Sequence, residues 1–250
     1  MAEKQNNKNI AEINSAENET NDKKRANKNS TENKINDKKR TNKKSEKNKS
    51  FDIDKLMEKA RQQEMAALEA TFRQLDSADV MQAVHLLQKA KKIYVIGIRT
   101  ALPIAQTFVY YLHLIGLDAV LVSTTDMNET FEQLLFLNEK DVVVGIGFSG
   151  YSLRTIKALE YANDKNASII SITDGPDSPI NLYSSCKLWA HISSVSIVDS
   201  YIAPMSLVYL LIETLTMKNQ KRVEENIANL SQVWENYQMY GNDNLSGGEN

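Results

Sequence analysis

The feature that most constrains the fold of this chain is the spacing of its apolar residues, which changes repeatedly between residues 77 and 217. Short runs such as IYVI and VVVGI hold consecutive apolar residues, and they alternate with longer stretches whose apolar residues recur every three or four positions. Continuous apolar runs are typical of strands buried on both faces, and their alternation with helices indicates a parallel sheet with right-handed crossovers. The predicted fold class is therefore α/β, a doubly wound parallel sheet of five strands flanked by helices.

The same patterns place the individual elements. The predicted strands are residues 93–96, 119–122, 142–146, 168–172 and 188–192. The predicted helices are residues 52–75, 77–90, 102–115, 130–137, 152–163, 203–217 and 223–240. Ser77 is the expected N-cap of the second helix. The first helix is long and amphipathic and precedes the sheet, whereas the last either closes the domain or packs on a partner subunit.

The first 50 residues have a different composition from the rest. They carry 12 Lys and 2 Arg against 8 Asp and Glu, a net charge of +6, and they contain 12 Asn but no Leu, Val, Phe, Trp or Tyr. Such a segment cannot bury enough apolar surface to offset the entropy of ordering it. The predicted organisation is a disordered tail over 1–50, a linker helix over 51–76, one globular domain over 77–240 and a disordered C-terminus over 241–250.

The tail contains a repeat of 15 residues, AENETNDKKRANKNS followed by TENKINDKKRTNKKS. Neither copy has the apolar period of a helix or a strand, so the repeat does not predict a solenoid unit. Two interpretations remain open. The tail is either a weakly basic arm for nucleic acid or another anionic surface, or a low-complexity segment that only solvates the protein. Interspersed acidic residues and the lack of aromatic residues favour the second interpretation.

Cysteine usage and hydropathy indicate the compartment. Cys186 is the only cysteine, so an internal disulfide is impossible and a reducing environment is favoured. The apolar runs are all shorter than the roughly 18 residues that a membrane-spanning helix needs, and the chain start lacks the apolar region of a secretory signal. We therefore expect a cytoplasmic protein that does not interact with membranes.

Two predicted strands end in segments with binding chemistry, and ligands of open parallel sheets bind beyond the carboxyl ends of the strands. The first segment, GIRTALP, supplies Arg99 and Thr100 before a proline suited to a helix start. The second, GIGFSGYSLRT, supplies Ser149, Ser152 and Thr155 around a helix N-terminus. Hydroxyls, free backbone N–H groups and a helix dipole favour an anion such as phosphate. The alternative is that Ser149 or Ser152 simply caps the helix.

In their order along the chain, the motifs IGIRTALPIAQ, GFSGYSLRT and SITDGPDSPI resemble the sugar isomerase (SIS) domain of the MurR/RpiR family of bacterial transcription regulators. The resemblance covers residues 52–217, including a long helix that in the family links the DNA-binding and sugar-binding domains. It implies a phosphosugar-binding domain that forms at least a dimer. No clustered His, Cys, Asp or Glu spacing in the sequence indicates a metal site, and no cofactor is predicted. The resemblance also implies that Ser149, Gly150, Ser152 and Thr155 hold the phosphate while Arg99 and Thr100 line the pocket.

Two positions depart from the family pattern, and one domain of the family is not predicted. Gly147 and Ala101 stand where serines are common, which removes two hydroxyl donors that Arg99 could replace with a charge-assisted contact. Residues 1–50 have no helical period, so a helix-turn-helix domain is not predicted there. The resemblance therefore implies either a regulator without its DNA-reading domain or a stand-alone binder. We expect no sequence-specific DNA binding by this chain alone, although a full-length family member is a possible partner.

Enzymatic activity is the alternative function, because SIS domains also serve as aldose–ketose isomerases. Such a reaction needs a positioned base and a group that opens the sugar ring. The best candidates are Glu129 as the base and His191, at the end of a predicted strand, for ring opening; His85 and His113 lie in predicted helices and are expected to be structural. Neither candidate falls in a recognisable isomerase motif, so no catalytic residue is predicted. Cys186 is expected to be a buried, inert thiol.

The remaining loop, TDGPDSP, reads primarily as a turn that follows a strand. Glycine, proline and aspartate cluster there, and Ser178 with Pro179 can begin a short helix. We therefore expect this segment to have a structural role.

Overall fold

Within residues 51–237, which the structure describes, five parallel strands form one sheet. The structure is a computed structural model. The sheet lies within the compact unit that begins at Leu56. The strands are β1 (Ile93–Gly97), β2 (Ala119–Val122), β3 (Val142–Ile146), β4 (Ser168–Thr173) and β5 (Cys186–Trp189). Their order across the sheet is β2-β1-β3-β4-β5, so the direction of strand addition reverses between β1 and β3.

Helices alternate with these strands along the chain. They are α1 (Ile53–Gln74), α2 (Ser77–Lys89), α3 (Leu102–Ile115), α4 (Met127–Gln133), α5 (Leu153–Asp164), α6 (Ile202–Lys218) and α7 (Gln220–Asn236). Short 3-10 helices occupy Arg99–Ala101 and Pro179–Asn181. A two-stranded antiparallel hairpin, β6 (Ser193–Ser194) with β7 (Asp199–Ser200), follows β5 and was not predicted.

The apolar core lies on both faces of the sheet. Successive side chains of a strand point to opposite faces. Ile93 and Val95 of β1 belong to one buried cluster with Phe108 of α3, whereas Ile96 belongs to a second cluster with Leu159 of α5. Both clusters are almost fully buried, which explains why the strands appear in the sequence as continuous apolar runs. The predicted doubly wound α/β fold is confirmed.

The fifth strand was predicted too late in the sequence, at residues 188–192. Pairing with β4 sets its true position, because Ile170 lies opposite Cys186 and Thr173 lies opposite Trp189. β4 ends at Thr173, so no further partner exists in that strand and the chain leaves the sheet. The exposed Lys187 interrupts the apolar run, and this concealed the start of the strand.

Two helices have N-caps that were not predicted, and in both cases the capping residue is an aspartate. Asp76, rather than Ser77, is the N-cap of α2, and its side chain accepts a hydrogen bond from the backbone N–H of Ala78. Asp126 caps α4 in the same way, so α4 begins three residues before the predicted start at residue 130. Capping carboxylates satisfy helical N–H groups that otherwise lack a partner.

The predicted ends of the chain are only partly described. The final helix, predicted over 223–240, begins at Gln220, and the structure describes it to Asn236. The predicted tail over 1–50 and the predicted C-terminal segment over 241–250 lie outside the described residues, so those parts of the domain prediction remain predictions.

Candidate functional site

A cleft of about 170 Å³ opens beyond the carboxyl ends of β1 and β3. Strand order reverses between these two strands, and ligands of open α/β sheets bind at such a point. The six residues predicted to bind a ligand all line this cleft: Arg99, Thr100, Ser149, Gly150, Ser152 and Thr155. The structure thus brings the two predicted segments together, while the binding role of each residue remains a prediction.

The first wall of the cleft is the turn that follows β1. Its tight geometry requires Gly97, because a Cβ there would lie 2.6 Å from the Cβ of Ala105. Arg99 adopts a left-handed backbone with φ of 59°, a conformation that costs a non-glycine residue about 1–3 kcal/mol and is frequent at functional sites. Arg99 and Thr100 are both exposed, so their side chains remain accessible to a ligand. Pro103 stands in the first turn of α3, as predicted.

The second wall is the loop between β3 and α5. Gly150 has φ of +83°, which allows the chain to turn sharply between Ser149 and Ser152. Ser152 is the N-cap residue of α5, yet its side chain makes no capping hydrogen bond. Its hydroxyl is therefore not committed to the helix, in contrast to the alternative interpretation of this serine. Thr155 lies buried in the first turn of α5.

Asp174 fixes the conformation of this second loop, a role that the sequence analysis missed. Its carboxylate accepts a hydrogen bond from the backbone N–H of Ser149 at 2.8 Å and another from the Tyr151 hydroxyl at 2.6 Å. Burial raises the pKa of the Tyr151 phenol, and its hydrogen bond to Asp174 raises that pKa further. Asp174 directly follows β4. The rule that ligands bind beyond the carboxyl ends of parallel strands, which pointed to the ends of β1 and β3, therefore also points to Asp174.

The segment around Asp174 also has the structural role predicted for it. Ser178 caps the 3-10 helix Pro179–Asn181 by accepting a hydrogen bond from the backbone N–H of Ile180. This short helix presents Ile180 to the loop after β3, and a Cβ on Gly147 would lie 3.0 Å from Ile180 Cδ1. The buried Ile180 side chain therefore restricts the space beside residue 147, where the family pattern has a serine.

The third wall comes from a part of the chain that the sequence analysis left without a role. Asp199 of β7 and Tyr201 at the start of α6 both line the cleft. The Tyr201 ring contacts the Phe148 ring with centroids 5.0 Å apart, which joins this wall to the loop before Ser149. Short strands with exposed polar residues lack the apolar run by which the other strands were recognised.

The two residues nominated for isomerase chemistry lie elsewhere. Glu129 is exposed on α4 and accepts a hydrogen bond from the Thr124 hydroxyl. His191 does not end a strand, because β5 stops at Trp189; its backbone N–H donates to the Thr71 hydroxyl at 2.9 Å. It lines a separate, open cavity of about 510 Å³ beside α1. Neither Glu129 nor His191 is among the residues that line the cleft.

The other candidate reactive groups do not line the cleft. Cys186 begins β5 and is buried, and this burial raises the pKa of its thiol to about 11. A neutral thiol is a poor nucleophile, in agreement with the prediction of an inert side chain. His113 in α3 contacts the carbonyl oxygen of Ala119 through Nε2 at 2.6 Å, and His85 is exposed on α2.

Within residues 51–237, no three or more His, Cys, Asp or Glu side chains are grouped so that they could hold a metal ion. In the same part of the chain, no helix combines the length and the apolar character required to cross a bilayer.

The fold and the cleft define an α/β domain with a hydroxyl-lined cleft at the switch point of a parallel sheet. The chain belongs to the SIS domain family, whose model matches residues 86–214. The family identified from the three sequence motifs is thus confirmed.

Comparisons with individual proteins agree with this assignment. An uncharacterized HTH-type transcriptional regulator of Clostridium perfringens is 31% identical over 121 residues, which are 48% of this chain and 43% of that regulator. The sugar isomerase domain of an RpiR transcription factor from Sphaerobacter thermophilus matches with a TM-score of 0.65 at 20% identity, over 67% of this chain and 93% of that one. The Vibrio vulnificus NanR protein complexed with ManNAc-6P matches with a TM-score of 0.66 at 19% identity, over 77% of this chain and 72% of that one.

Proposed function

We propose that the cleft binds a phosphorylated sugar. The observation that carries this proposal is the placement of Ser149, Ser152 and Thr155 around the first turn of α5, inside the cleft. A helix N-terminus offers backbone N–H groups and a favourable dipole to an anion, and uncommitted hydroxyls add neutral donors. The complex of the similarly folded NanR protein with ManNAc-6P supports the same class of ligand.

We propose that the phosphate of the ligand lies at the second wall of the cleft and that the sugar extends away from it. Ser149, Gly150, Ser152 and Thr155 hold the phosphate, because they surround the start of α5. On the wall after β1, Arg99 makes a charge-assisted contact with the ligand, and the Thr100 hydroxyl offers it a further hydrogen bond. This arrangement leaves the cleft beyond the phosphate for the sugar.

In the cell, we propose that ligand binding serves regulation. The matched relative from Clostridium perfringens is an HTH-type regulator, and this chain spans 43% of its length. Under this proposal residues 77–240 act as the effector-binding domain, and 51–76 act as the linker helix. A cytoplasmic location fits both this role and the single, buried cysteine. We also propose that this chain alone does not bind DNA with sequence specificity. This proposal depends on the tail over 1–50, which lies outside the described residues.

We further propose that the chain catalyses no reaction. The nominated base Glu129 and the nominated ring-opening residue His191 do not line the cleft, which supports this view. Isomerase activity remains the second candidate, because solved structures of similar fold include an isomerase-type protein from Bacteroides fragilis involved in capsule formation, at 20% identity. Incubating a bound sugar phosphate with the protein and measuring the amount of its isomer distinguishes the two functions.

A thermal-shift screen tests the proposed ligand class. Sugar phosphates are compared with the same sugars lacking the phosphate, at equal concentration and ionic strength. A ligand that binds only the folded state, at a hundred times its Kd, stabilises that state by about 2.7 kcal/mol, which shifts the melting temperature visibly. We expect shifts only with phosphorylated sugars. Equal shifts with both forms, or none with any sugar phosphate, would contradict the proposal.

A further inference from the structure

Asp199 is the acidic side chain that lines the cleft in the described part of the chain, and nothing in the proposed phosphate site uses it. Arg99 is the corresponding basic side chain, so the formal charges of the two cancel. The charged side chains of the cleft therefore give no net attraction for anions. An anionic group of the ligand is stabilised only where donors are placed to hold it.

The backbone position of Asp199 is set from two sides. β7 pairs with β6 so that Ser194 lies opposite Asp199, which anchors the hairpin strand that carries it. Two residues later, Tyr201 contacts the Phe148 ring with centroids 5.0 Å apart. Phe148 directly precedes Ser149, so Asp199 belongs to a wall that is tied to the proposed phosphate loop.

We propose that Asp199 determines ligand specificity: it accepts hydrogen bonds from hydroxyl or amino groups at the sugar end and excludes sugars that carry a second negative charge. This inference rests on the proposed function. An ionised carboxylate accepts hydrogen bonds and cannot donate them, so hydroxyl and amino groups are its natural partners. The ligand class is therefore an uncharged or amino sugar phosphate rather than a phosphorylated sugar acid.

The placement of charges explains why the phosphate itself is tolerated. The hydroxyls of Ser149 and Ser152 and the N-terminus of α5 stabilise one anion at the second wall. We expect a carboxylate at the other end of the ligand to meet the charge of Asp199. Two like charges about 4 Å apart repel by about 1–4 kcal/mol across the dielectric range of a protein surface, and each 1.4 kcal/mol is a tenfold change in affinity.

The test compares matched ligands on the full chain by isothermal titration calorimetry. Each hexose or N-acetylhexosamine 6-phosphate is paired with its aldonic acid, beginning with glucose 6-phosphate and 6-phosphogluconate. The members of a pair share the phosphate, but the acid is open-chain and carries a carboxylate at C1. The open-chain alditol 6-phosphate of each sugar is therefore titrated beside them as the uncharged ligand of the same shape. We expect the wild type to prefer the uncharged sugar by at least about tenfold. Asp199→Asn, which keeps the shape but removes the charge, should reduce this preference to within about threefold, mainly by strengthening the binding of the acid.

Asp164→Asn is the matched control, because Asp164 ends α5 and does not line the cleft; it should retain the wild-type preference. Melting curves establish that both variants fold. An unchanged preference in Asp199→Asn, or equal affinity of the wild type for sugar and acid, overturns the inference while leaving phosphosugar binding intact. If the wild type binds neither member of any pair, the proposed function fails, and the inference fails with it.

Discussion

The serines of the loop after β3 differ from ordinary capping serines. Ser152 stands at the N-cap of α5 without using its hydroxyl as a cap, whereas Ser178 caps its short helix directly. Ser149 is held through its backbone by Asp174, which leaves its side chain exposed on the cleft. These two hydroxyls are therefore the groups whose removal should affect the ligand most and the fold least.

The combined substitution Ser149→Ala and Ser152→Ala should abolish binding of any sugar phosphate found in the screen. Each hydrogen bond to a charged group is worth about 1.5–3 kcal/mol, so the affinity should fall by about a hundredfold or more. Calorimetric titration measures this change. Ser168→Ala, at the start of β4 and outside the cleft, should bind normally. Binding of the double variant within threefold of the wild type would show that the phosphate lies elsewhere.

Asp174→Asn tests how firmly the phosphate loop is held. The carboxylate accepts hydrogen bonds from Ser149 N–H and the Tyr151 hydroxyl, and an amide of the same size accepts both less strongly. We expect the free energy of unfolding to fall by about 1–2 kcal/mol, together with weaker ligand binding. Asp177→Asn, an exposed change in the same turn, serves as the control and should stay within about 0.5 kcal/mol of the wild type. If the two variants were equally stable, the hydrogen bonds of Asp174 would not be what holds the phosphate loop.

At the scale of elements, the carboxyl ends of three strands create the site. β1 leads into the turn with Arg99, β3 leads into the serine loop, and β4 leads into Asp174, which joins the third segment to the second. Parallel pairing places all three ends at the same edge of the sheet. The close approach of α3 to β1 depends on the lack of a side chain at Gly97.

Gly97→Ala should destabilise the fold by about 1–3 kcal/mol, the usual cost of overpacking a core. The added Cβ would lie 2.6 Å from Ala105 Cβ and 2.9 Å from the carbonyl oxygen of Ala101, so α3 or the turn must move. Urea denaturation measures the loss. Gly175→Ala is the matched control, because no heavy atom lies within 4 Å of a Cβ at that position. A Gly97→Ala variant as stable as this control would contradict the close approach.

At the scale of the whole molecule, two helices carry apolar side chains that the rest of the described chain does not cover. Met65 and Phe72 of α1 are 57% and 46% exposed, and Ile227 and Val233 of α7 are 46% and 47% exposed. Large exposed apolar surfaces usually mark protein interfaces. We therefore propose that the chain forms at least a dimer through these helices, with a tetramer as a further possibility.

Replacing both Met65 and Phe72 with Glu should reduce the oligomer to a monomer, since a carboxylate in an apolar interface loses its hydration without a partner. Light scattering at micromolar concentration measures the mass. Glu139→Lys changes an exposed residue that lies outside both helices and should leave the assembly intact. A monomeric mass for the wild type would exclude the proposal outright.

Much of the fold and part of the site were predictable from the sequence. Apolar runs revealed β1 to β4 because those strands are buried on both faces. β5 was displaced because an edge strand has one exposed position, Lys187, and its limits depend on pairing with β4. The start of α4 was displaced because Asp126 was not recognised as its cap. Asp76 was also missed as a cap, although α2 begins at Ser77 as predicted. The six proposed ligand residues were found because each lies just beyond a strand and within a polar, glycine-containing segment.

By itself, the sequence determined the layers of this protein and the two hydroxyl-rich loops, because period and local residue type are short-range properties of the chain. Tertiary structure alone decided which distant residues share the cleft. Asp199 lines the cleft, and Asp174 holds the serine loop through the Ser149 N–H, although both are far from Ser149 in the sequence. Strand order and the packing of Tyr201 on Phe148 bring these segments together. Glu129 and His191 lie outside the cleft for the same reason. Their positions depend on how α4 and the segment after β5 leave the sheet.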